Sequence, residues 1–142
     1  MEIFEDENFI KNINNILKKG AVIAFVTDTV WGVGCLPDNE KAVKKIYEIK
    51  KREAKKPLIL MSNDYENLKK YIKNPSEKMK SLVKKYFPGA LTIVSQKSDL
   101  TPKFVTSNMD TVGIRVPDNV VFQKICNIID GHVLATTSAN VS

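Results

Sequence analysis

Short apolar runs alternate with segments of helical periodicity along this chain, and this alternation limits its possible folds more than any other feature. The apolar runs are rich in β-branched residues, which is typical of buried strands. They lie at 21–26, 57–61, 90–96, 111–117 and 132–138. Elsewhere, apolar residues recur at three- and four-residue spacing, which predicts helices. These helices are expected at 9–19, 39–50, 64–72, 75–87 and 118–130.

This order of elements predicts an α/β fold with helices packed against a sheet. Two consecutive helices at 64–87 and a strand–loop–strand segment at 90–116 depart from strict β–α–β repetition. We therefore expect a twisted mixed sheet rather than a wholly parallel one. The glycine-containing stretch 27–38 is expected to be a connection, and Ile49 and Tyr86 are expected to face inward. The chain contains no repeat and no internal linker, so residues 1–142 are predicted to form a single domain.

Composition places the chain among globular proteins. Hydrophobic residues make up 43% of it and charged residues 27%, which is typical of soluble domains. The apolar runs are too short to span a bilayer, and the acidic N-terminus lacks the pattern of a signal peptide. Cys35 and Cys126 have no paired spacing, which favours free thiols in a reducing compartment. We expect a cytoplasmic protein with no membrane partner.

The net charge of +6 favours anionic partners such as nucleotides or RNA. Many lysines occur in pairs, which also fits ordinary solvated helix faces. Only two of the 22 basic residues are arginines, Arg52 and Arg115. An arginine can hold a carboxylate or phosphate through two parallel hydrogen bonds, which a lysine cannot. A structural ion pair is the alternative for each of them.

Four stretches with chemically useful side chains lie at or beside the predicted strand ends, where ligands usually bind in open α/β sheets. They are VTDTVWGVGC (26–35), KKREAKKPL (50–58), TVGIRVPD (111–118) and LATTSANVS (134–142). In the first, Gly32 and Gly34 fit either a tight turn beside a buried Trp31 or a bare backbone that a ligand approaches. Thr27 and Thr29 offer hydroxyl groups in the same stretch.

The other stretches each leave two interpretations open. Lys50 and Arg52 fit either a solvated helix end or a clamp for a polyphosphate. Arg115 lies in an apolar strand, so it is expected either to form an ion pair or to line a cavity that binds a carboxylate. The hydroxyl and amide side chains near the C-terminus suit nucleotide recognition or ordinary turns. They are Thr136, Thr137, Ser138 and Asn140.

The usual catalytic constellations are missing from the sequence. His132 is the single histidine, and no His/Cys cluster has zinc spacing. We therefore predict no catalytic side chain, and catalysis by positioning and charge stabilisation instead.

Taken together, these stretches resemble the YrdC-like family, the threonylcarbamoyl-adenylate synthases. The family pattern is roughly P-T-[ED]-T-[VY]-Y-G-L-G, K-x-R…[KN]-P-L, P-G-P-x-T, R-x-P and S-x-N-x-S-G. The corresponding segments here are VTDTVWGVG, KKREAKKPL, PGALT (88–92), RVP (115–117) and SANVS. The match runs from about residue 20 to Ser142 and includes both arginines.

The resemblance implies a sheet with an open basic cavity, and a reaction. L-threonine and bicarbonate form a carbamate, which attacks the α-phosphorus of ATP to give L-threonylcarbamoyl-AMP and pyrophosphate. Partner proteins then transfer the threonylcarbamoyl group to the tRNA adenosine next to the anticodon. Mg²⁺ is expected with the ATP, without identified ligands. Two alternatives stay open: a double-stranded RNA or tRNA-binding module, and a non-catalytic regulatory domain of the same fold.

The resemblance also implies roles for single residues. The residues that would bind L-threonine are Thr27, Arg115 and Thr136. Those that would bind ATP are Lys50, Arg52, Lys56, Thr111, Ser138 and Asn140. Trp31 and Ala90 stand where the family has Tyr and Pro. Family members continue past the last motif, so we expect the domain to lack a short C-terminal portion.

Overall fold

The computed structural model describes residues 7–50 and 56–139. Four α-helices are present in these ranges: α1 (Glu7–Lys18), α2 (Glu40–Lys50), α3 (Glu77–Tyr86) and α4 (Val120–Ile128). Six strands are present as well: β1 (Ile23–Phe25), β2 (Gly32–Cys35), β3 (Ile59–Ser62), β4 (Ile93–Gln96), β5 (Thr111–Arg115) and β6 (Val133–Ser138). Single 3₁₀ turns lie at Tyr65–Asn67, Lys69–Tyr71 and Asp130–His132.

The strands form one mixed sheet in the order β1-β2-β6-β3-β5-β4. Strands β3 and β5 are parallel, and every other neighbouring pair is antiparallel. The predicted mixed α/β sheet is therefore confirmed. Because neighbouring strands run in opposite directions, the end of β6 lies beside the start of β2 and near the segment that follows β1.

Each face of the sheet carries its own hydrophobic core, because successive side chains of a strand point to opposite faces. On one face, α1 and α4 pack over Phe25, Met61 and Leu134. On the other face, α2, α3 and the loops pack over a second set of side chains that includes Leu60 and Ile114. Both cores are continuous within the described part of the chain, so the sheet is a rigid platform for groups at its strand ends.

Local signals explain where the helices begin. The Asn39 side chain accepts a hydrogen bond from the backbone N–H of Ala42 at 3.0 Å, and Ser76 and Asn119 cap α3 and α4 in the same way. Such caps satisfy N–H groups that have no partner within the helix. Gly20, with φ of +95°, follows α1 and ends it, as its sequence position predicted.

Three expectations are wrong. The stretch 27–38 was expected to be a connection because it contains two glycines, but it includes the strand β2. The expected helix at 64–72 is two 3₁₀ turns, because the chain becomes extended at Ile72, where it bridges to Lys97. Ile49 and Tyr86 are 61% and 43% exposed rather than inward. The buried residues of α2 are Ala42, Val43, Ile46 and Lys50, which leaves position 49 on the outer side.

The glycines of β2 make room for an aromatic ring. A Cβ atom on Gly32 would lie 2.7 and 2.9 Å from ring carbons of Phe25, and one on Gly34 would lie 3.0 Å from the same ring. Phe25 is completely buried and packs against Phe122 at an interplanar angle of 51°, with ring centroids 5.2 Å apart. The close approach of the Phe25 ring therefore accounts for both glycines, and a turn does not.

We expect Gly32→Ala to destabilise the protein by about 1–3 kcal/mol, the usual range for overpacking a dense core. Urea unfolding followed by circular dichroism measures the change. Combining Gly32→Ala with Phe25→Leu, which shortens the opposing side chain, should cost less than the sum of the two single changes. Strict additivity of the two would contradict the packing explanation.

Candidate active site

A cavity of about 140 Å³ lies where the end of β6, the start of β2 and the segment after β1 meet. Its described lining residues come from four segments of the chain. They are Thr27, Val30, Trp31, Gly32, Ile59, Met61, Arg115, Thr137 and Ser138. Three of the four stretches that the sequence singled out therefore meet at one cavity.

Arg115 is the charged side chain of this lining. It is only 6% exposed and shares a sheet face with Thr111 and Gly113, because β-strand side chains alternate. Its Nε donates to the backbone oxygen of Gly89 at 2.9 Å, and its Nη1 donates to the Thr29 hydroxyl at 3.2 Å. Its Nη2 pairs with the Asp28 carboxylate. Arg115 thus forms an ion pair and also lines a cavity, so the two sequence-based interpretations are compatible.

Hydrogen bonds within the segment after β1 fix its shape. The buried Thr27 hydroxyl donates to the Val30 backbone oxygen at 2.6 Å and accepts from the Thr29 N–H at 3.2 Å. The second oxygen of Asp28 accepts from the backbone N–H of Asp118 at 3.1 Å. This segment is therefore tied both to itself and to the chain that follows β5.

Lys50 is not part of a solvated helix end. It is only 6% exposed, because it occupies the inward position at the end of α2. Its Nζ donates to the backbone oxygen of Ser138 at 2.8 Å. Ser138 lines the cavity, so this bond places a cation directly behind the cavity wall.

The remaining predicted site residues differ in their placement. Thr136 is completely buried, donates to the backbone oxygen of Ile59 at 3.3 Å and is not among the lining residues. Thr111 is half-buried on the same sheet face as Arg115, and Lys56 is exposed shortly before β3. Arg52 and Asn140 lie outside the described residues. Each of these assigned roles stays a prediction.

Trp31 is 40% exposed and lines the cavity, so the interpretation that places it in the interior is wrong. Its backbone oxygen accepts from the N–H of Ala139 at 2.8 Å, which extends the pairing of β2 with β6. Because the sequence contains a single tryptophan, fluorescence from Trp31 reports on this cavity alone.

Sequence reasoning missed several residues of the site. Asp28 lies between two threonines that were singled out, yet its partner is 87 positions away. Gly89 contributes a backbone oxygen, which no side-chain pattern could reveal. The apolar wall consists of Val30, Ile59 and Met61. Two-residue alternation could have placed Ile59 and Met61 together on one face.

Reactive groups elsewhere in residues 7–50 and 56–139 offer no competing chemistry. The described residues contain no group of three or more His, Cys, Asp and Glu side chains that could hold a metal ion. The Nδ1 of His132 lies 2.9 Å from the Cys126 backbone oxygen, at the opposite end of β6 from the cavity. Both cysteines are free, as predicted. Burial raises the pKa of the Cys35 thiol to about 12 and also raises that of Cys126, so both stay protonated at neutral pH.

A larger cavity of about 530 Å³ lies at the other end of the β2–β6 pair. Its wall mixes cations and anions, including the exposed Lys18–Asp130 ion pair at 2.8 Å. It contains none of the predicted site residues. Size alone therefore does not identify the site, and the smaller cavity with the buried guanidinium is the better candidate.

The mixed sheet and the arginine-walled cavity define an α/β protein with a small pocket at its strand ends. The profile of the Sua5/YciO/YrdC family, described as telomere recombination, matches residues 15–142. The chain therefore belongs to this family, and the resemblance inferred from the motifs is confirmed.

Individual relatives agree with this assignment. A threonylcarbamoyl-AMP synthase of Vibrio parahaemolyticus is 38% identical over 138 residues, which cover 96% of this chain and 74% of that protein. One of Pyrococcus abyssi is 36% identical over 126 residues, or 89% of this chain and 37% of that protein.

Solved structures show the same fold. P. abyssi Sua5 complexed with L-threonine superimposes with a TM-score of 0.90 at 35% identity and covers 96% of this chain. Escherichia coli YciO gives 0.83 at 25% identity and covers 93%. The chain spans 40% of the Sua5 structure and 64% of the YciO structure. No helix in the described ranges is long and apolar enough to cross a membrane.

Proposed function

We propose that this protein is an enzyme that makes L-threonylcarbamoyl-AMP from L-threonine, bicarbonate and ATP, with release of pyrophosphate. It would thereby act as a nucleotidyltransferase in the cytoplasm. The product would serve the threonylcarbamoylation of the tRNA adenosine next to the anticodon, through partner proteins. Relatives named threonylcarbamoyl-AMP synthase support this activity.

One observation carries the proposal: the guanidinium of Arg115 is held at the wall of a cavity of amino-acid size. Its volume of about 140 Å³ is below the roughly 300–1,000 Å³ of common ligand pockets, so we assign it to the smaller substrate. A buried guanidinium is the natural partner of a carboxylate. Val30, Ile59 and Met61 offer an apolar surface to a short aliphatic side chain.

The nucleotide would lie outside this cavity, against its Ser138 side. The Lys50 ammonium behind Ser138 supplies positive charge there, and Thr111 offers a hydroxyl on the same sheet face as Arg115. That face is open toward the sheet edge, where Val94 of β4 is 66% exposed. Arg52, Lys56 and Asn140 complete the proposed ATP-binding set.

In this arrangement the protein contributes position and charge rather than a nucleophile. Arg115 would hold L-threonine so that its carbamate, formed with bicarbonate, faces the α-phosphorus of ATP. A carbamate oxygen forms the new bond to phosphorus while the bond to the pyrophosphate oxygen breaks. Lys50 and Arg52 would stabilise the negative charge of the leaving pyrophosphate. Fixing two reactants in this geometry can itself supply much of the acceleration.

Mg²⁺ would be bound mainly through the phosphate oxygens of ATP. It commonly keeps several waters and uses substrate phosphates instead of an all-protein site. The lack of a three-residue ligand cluster in the described ranges fits this mode of binding. The ion would neutralise phosphate charge during the transfer.

Pyrophosphate release tests the proposal. Purified protein with L-threonine, bicarbonate, ATP and Mg²⁺ should release pyrophosphate, and omission of L-threonine or bicarbonate should reduce the rate to background. Release that is independent of L-threonine would indicate a different ATP-consuming activity. Absence of release together with tight binding of double-stranded RNA would favour the RNA-binding alternative.

A further inference from the structure

The ion pair between Asp28 and Arg115 joins two segments that lie far apart in sequence. The Asp28 side chain is 18% exposed and that of Arg115 is 7% exposed. One carboxylate oxygen of Asp28 pairs with Nη2 of Arg115, and the other accepts from the backbone N–H of Asp118. Asp28 therefore bridges the side chain and the backbone of the segment around the end of β5.

Asp28 does not line the cavity, although Arg115 does. The same is true of Thr29 and Gly89, which accept from the other two nitrogens of the guanidinium. All three described acceptors of Arg115 therefore hold the guanidinium from behind, and the cavity lies on its remaining side.

A count of donors shows what this arrangement leaves for a ligand. An arginine has five N–H groups: one on Nε and two on each terminal nitrogen. Gly89, Thr29 and Asp28 each take one, and each takes it from a different nitrogen. Nη1 and Nη2 therefore each keep one N–H without an acceptor among the described residues. Each of these remaining N–H groups can donate a charge-assisted hydrogen bond to a carboxylate.

We propose that Asp28 is a positioning residue that orients Arg115 so that its two remaining N–H groups bind the carboxylate of the amino-acid substrate. This inference rests on the proposed function. It makes Asp28 a determinant of specificity for the carboxylate, although Asp28 itself does not touch the substrate. A competing arrangement, in which Asp28 occupies the ligand site and must be displaced, predicts the opposite effect of neutralising it.

The test compares L-threonine with L-threoninamide, which lacks the carboxylate charge, by titrating Trp31 fluorescence in wild-type protein and in Asp28→Asn. Because Asp28→Asn removes a charge-assisted partner that holds the guanidinium, we expect L-threonine to bind this variant about tenfold more weakly. L-threoninamide should bind both proteins with similar affinity, so the preference for the carboxylate should fall. A merely structural loss would weaken both ligands equally, and that outcome would overturn the proposal.

Asp130→Asn is the matched control. It removes the same charge from an exposed ion pair with Lys18 at the opposite end of the sheet, so both titrations should match wild type. If Asp28→Asn fails to fold, Thr29→Val removes one of the three acceptors of Arg115 and should shift the ligand preference in the same direction. Tighter or unchanged L-threonine binding in a folded variant at position 28 contradicts the proposal. Failure of the proposed function is distinguishable, because the wild-type protein would then release no pyrophosphate in response to L-threonine, whatever the binding titrations show.

Discussion

Arg115→Lys is expected to raise the L-threonine concentration for half-maximal pyrophosphate release about 100-fold, with a smaller effect on the ATP requirement. Lysine keeps the charge but presents one ammonium in place of a planar fork. It cannot donate at once to Gly89, Thr29 and Asp28 and still offer two donors to a carboxylate. A 100-fold loss corresponds to about 2.8 kcal/mol at 1.4 kcal/mol per tenfold, within reach of one or two charge-assisted hydrogen bonds.

Thermal unfolding of Arg115→Lys separates this role from a structural one. Removing one partner of a buried ion pair can cost 3–5 kcal/mol of stability when the other charge is left alone, but lysine leaves Asp28 with a cation nearby. We therefore expect a folded protein with a raised L-threonine requirement. Global unfolding in Arg115→Lys, with normal kinetics in any folded fraction, would assign the ion pair a structural role only.

Lys50→Met is expected to raise the ATP concentration for half-maximal rate by about 10- to 100-fold, the range of one charge-assisted hydrogen bond. Methionine retains most of the buried aliphatic length of lysine. The variant therefore removes the ammonium and its hydrogen bond to the Ser138 backbone oxygen without creating a large cavity. The L-threonine requirement should change less, because Arg115 and its partners are untouched.

The same helix offers a close control. Lys45 of α2 also donates to a backbone oxygen, that of Gly20, at 3.0 Å, on a side of the helix away from the cavity. Lys45 is exposed and Lys50 is buried, so Lys45→Met should alter stability less and leave the ATP requirement unchanged. Equal effects of the two substitutions on ATP kinetics would show that the position of the Lys50 charge is unimportant.

The spacing of apolar residues was sufficient to predict the mixed sheet and the main helices. The strands bury continuous apolar runs, and the helices bury apolar residues at three- and four-residue spacing. This spacing failed at β2, whose glycines are explained by the Phe25 ring across the strand pair. It also placed Ile49 inward and overlooked that Lys50 takes the inward position of that turn. Both failures involve a residue type that is unusual for its environment.

The residues of the candidate site also fall into two groups, those that the sequence predicted and those that it did not. Arg115 could be predicted from the sequence, because arginine is rare in this chain and the residues around position 115 are those of a buried strand. Both signals can be read from the local sequence. Its partners Asp28 and Gly89 come from distant segments, and only the folded chain brings them together. The same holds for the bond between Lys50 and Ser138, which no local pattern encodes.

Isotope-labelled product formation tests the central claim most directly. The protein would be incubated with ATP, Mg²⁺, L-threonine and ¹³C-bicarbonate, and the products separated and weighed by mass spectrometry. The predicted result is an adduct of threonine and AMP that carries a single ¹³C atom and is strongly reduced in Arg115→Lys. Conversion of ATP without any ¹³C-labelled adduct, by a protein that is folded and binds both substrates, would contradict the account.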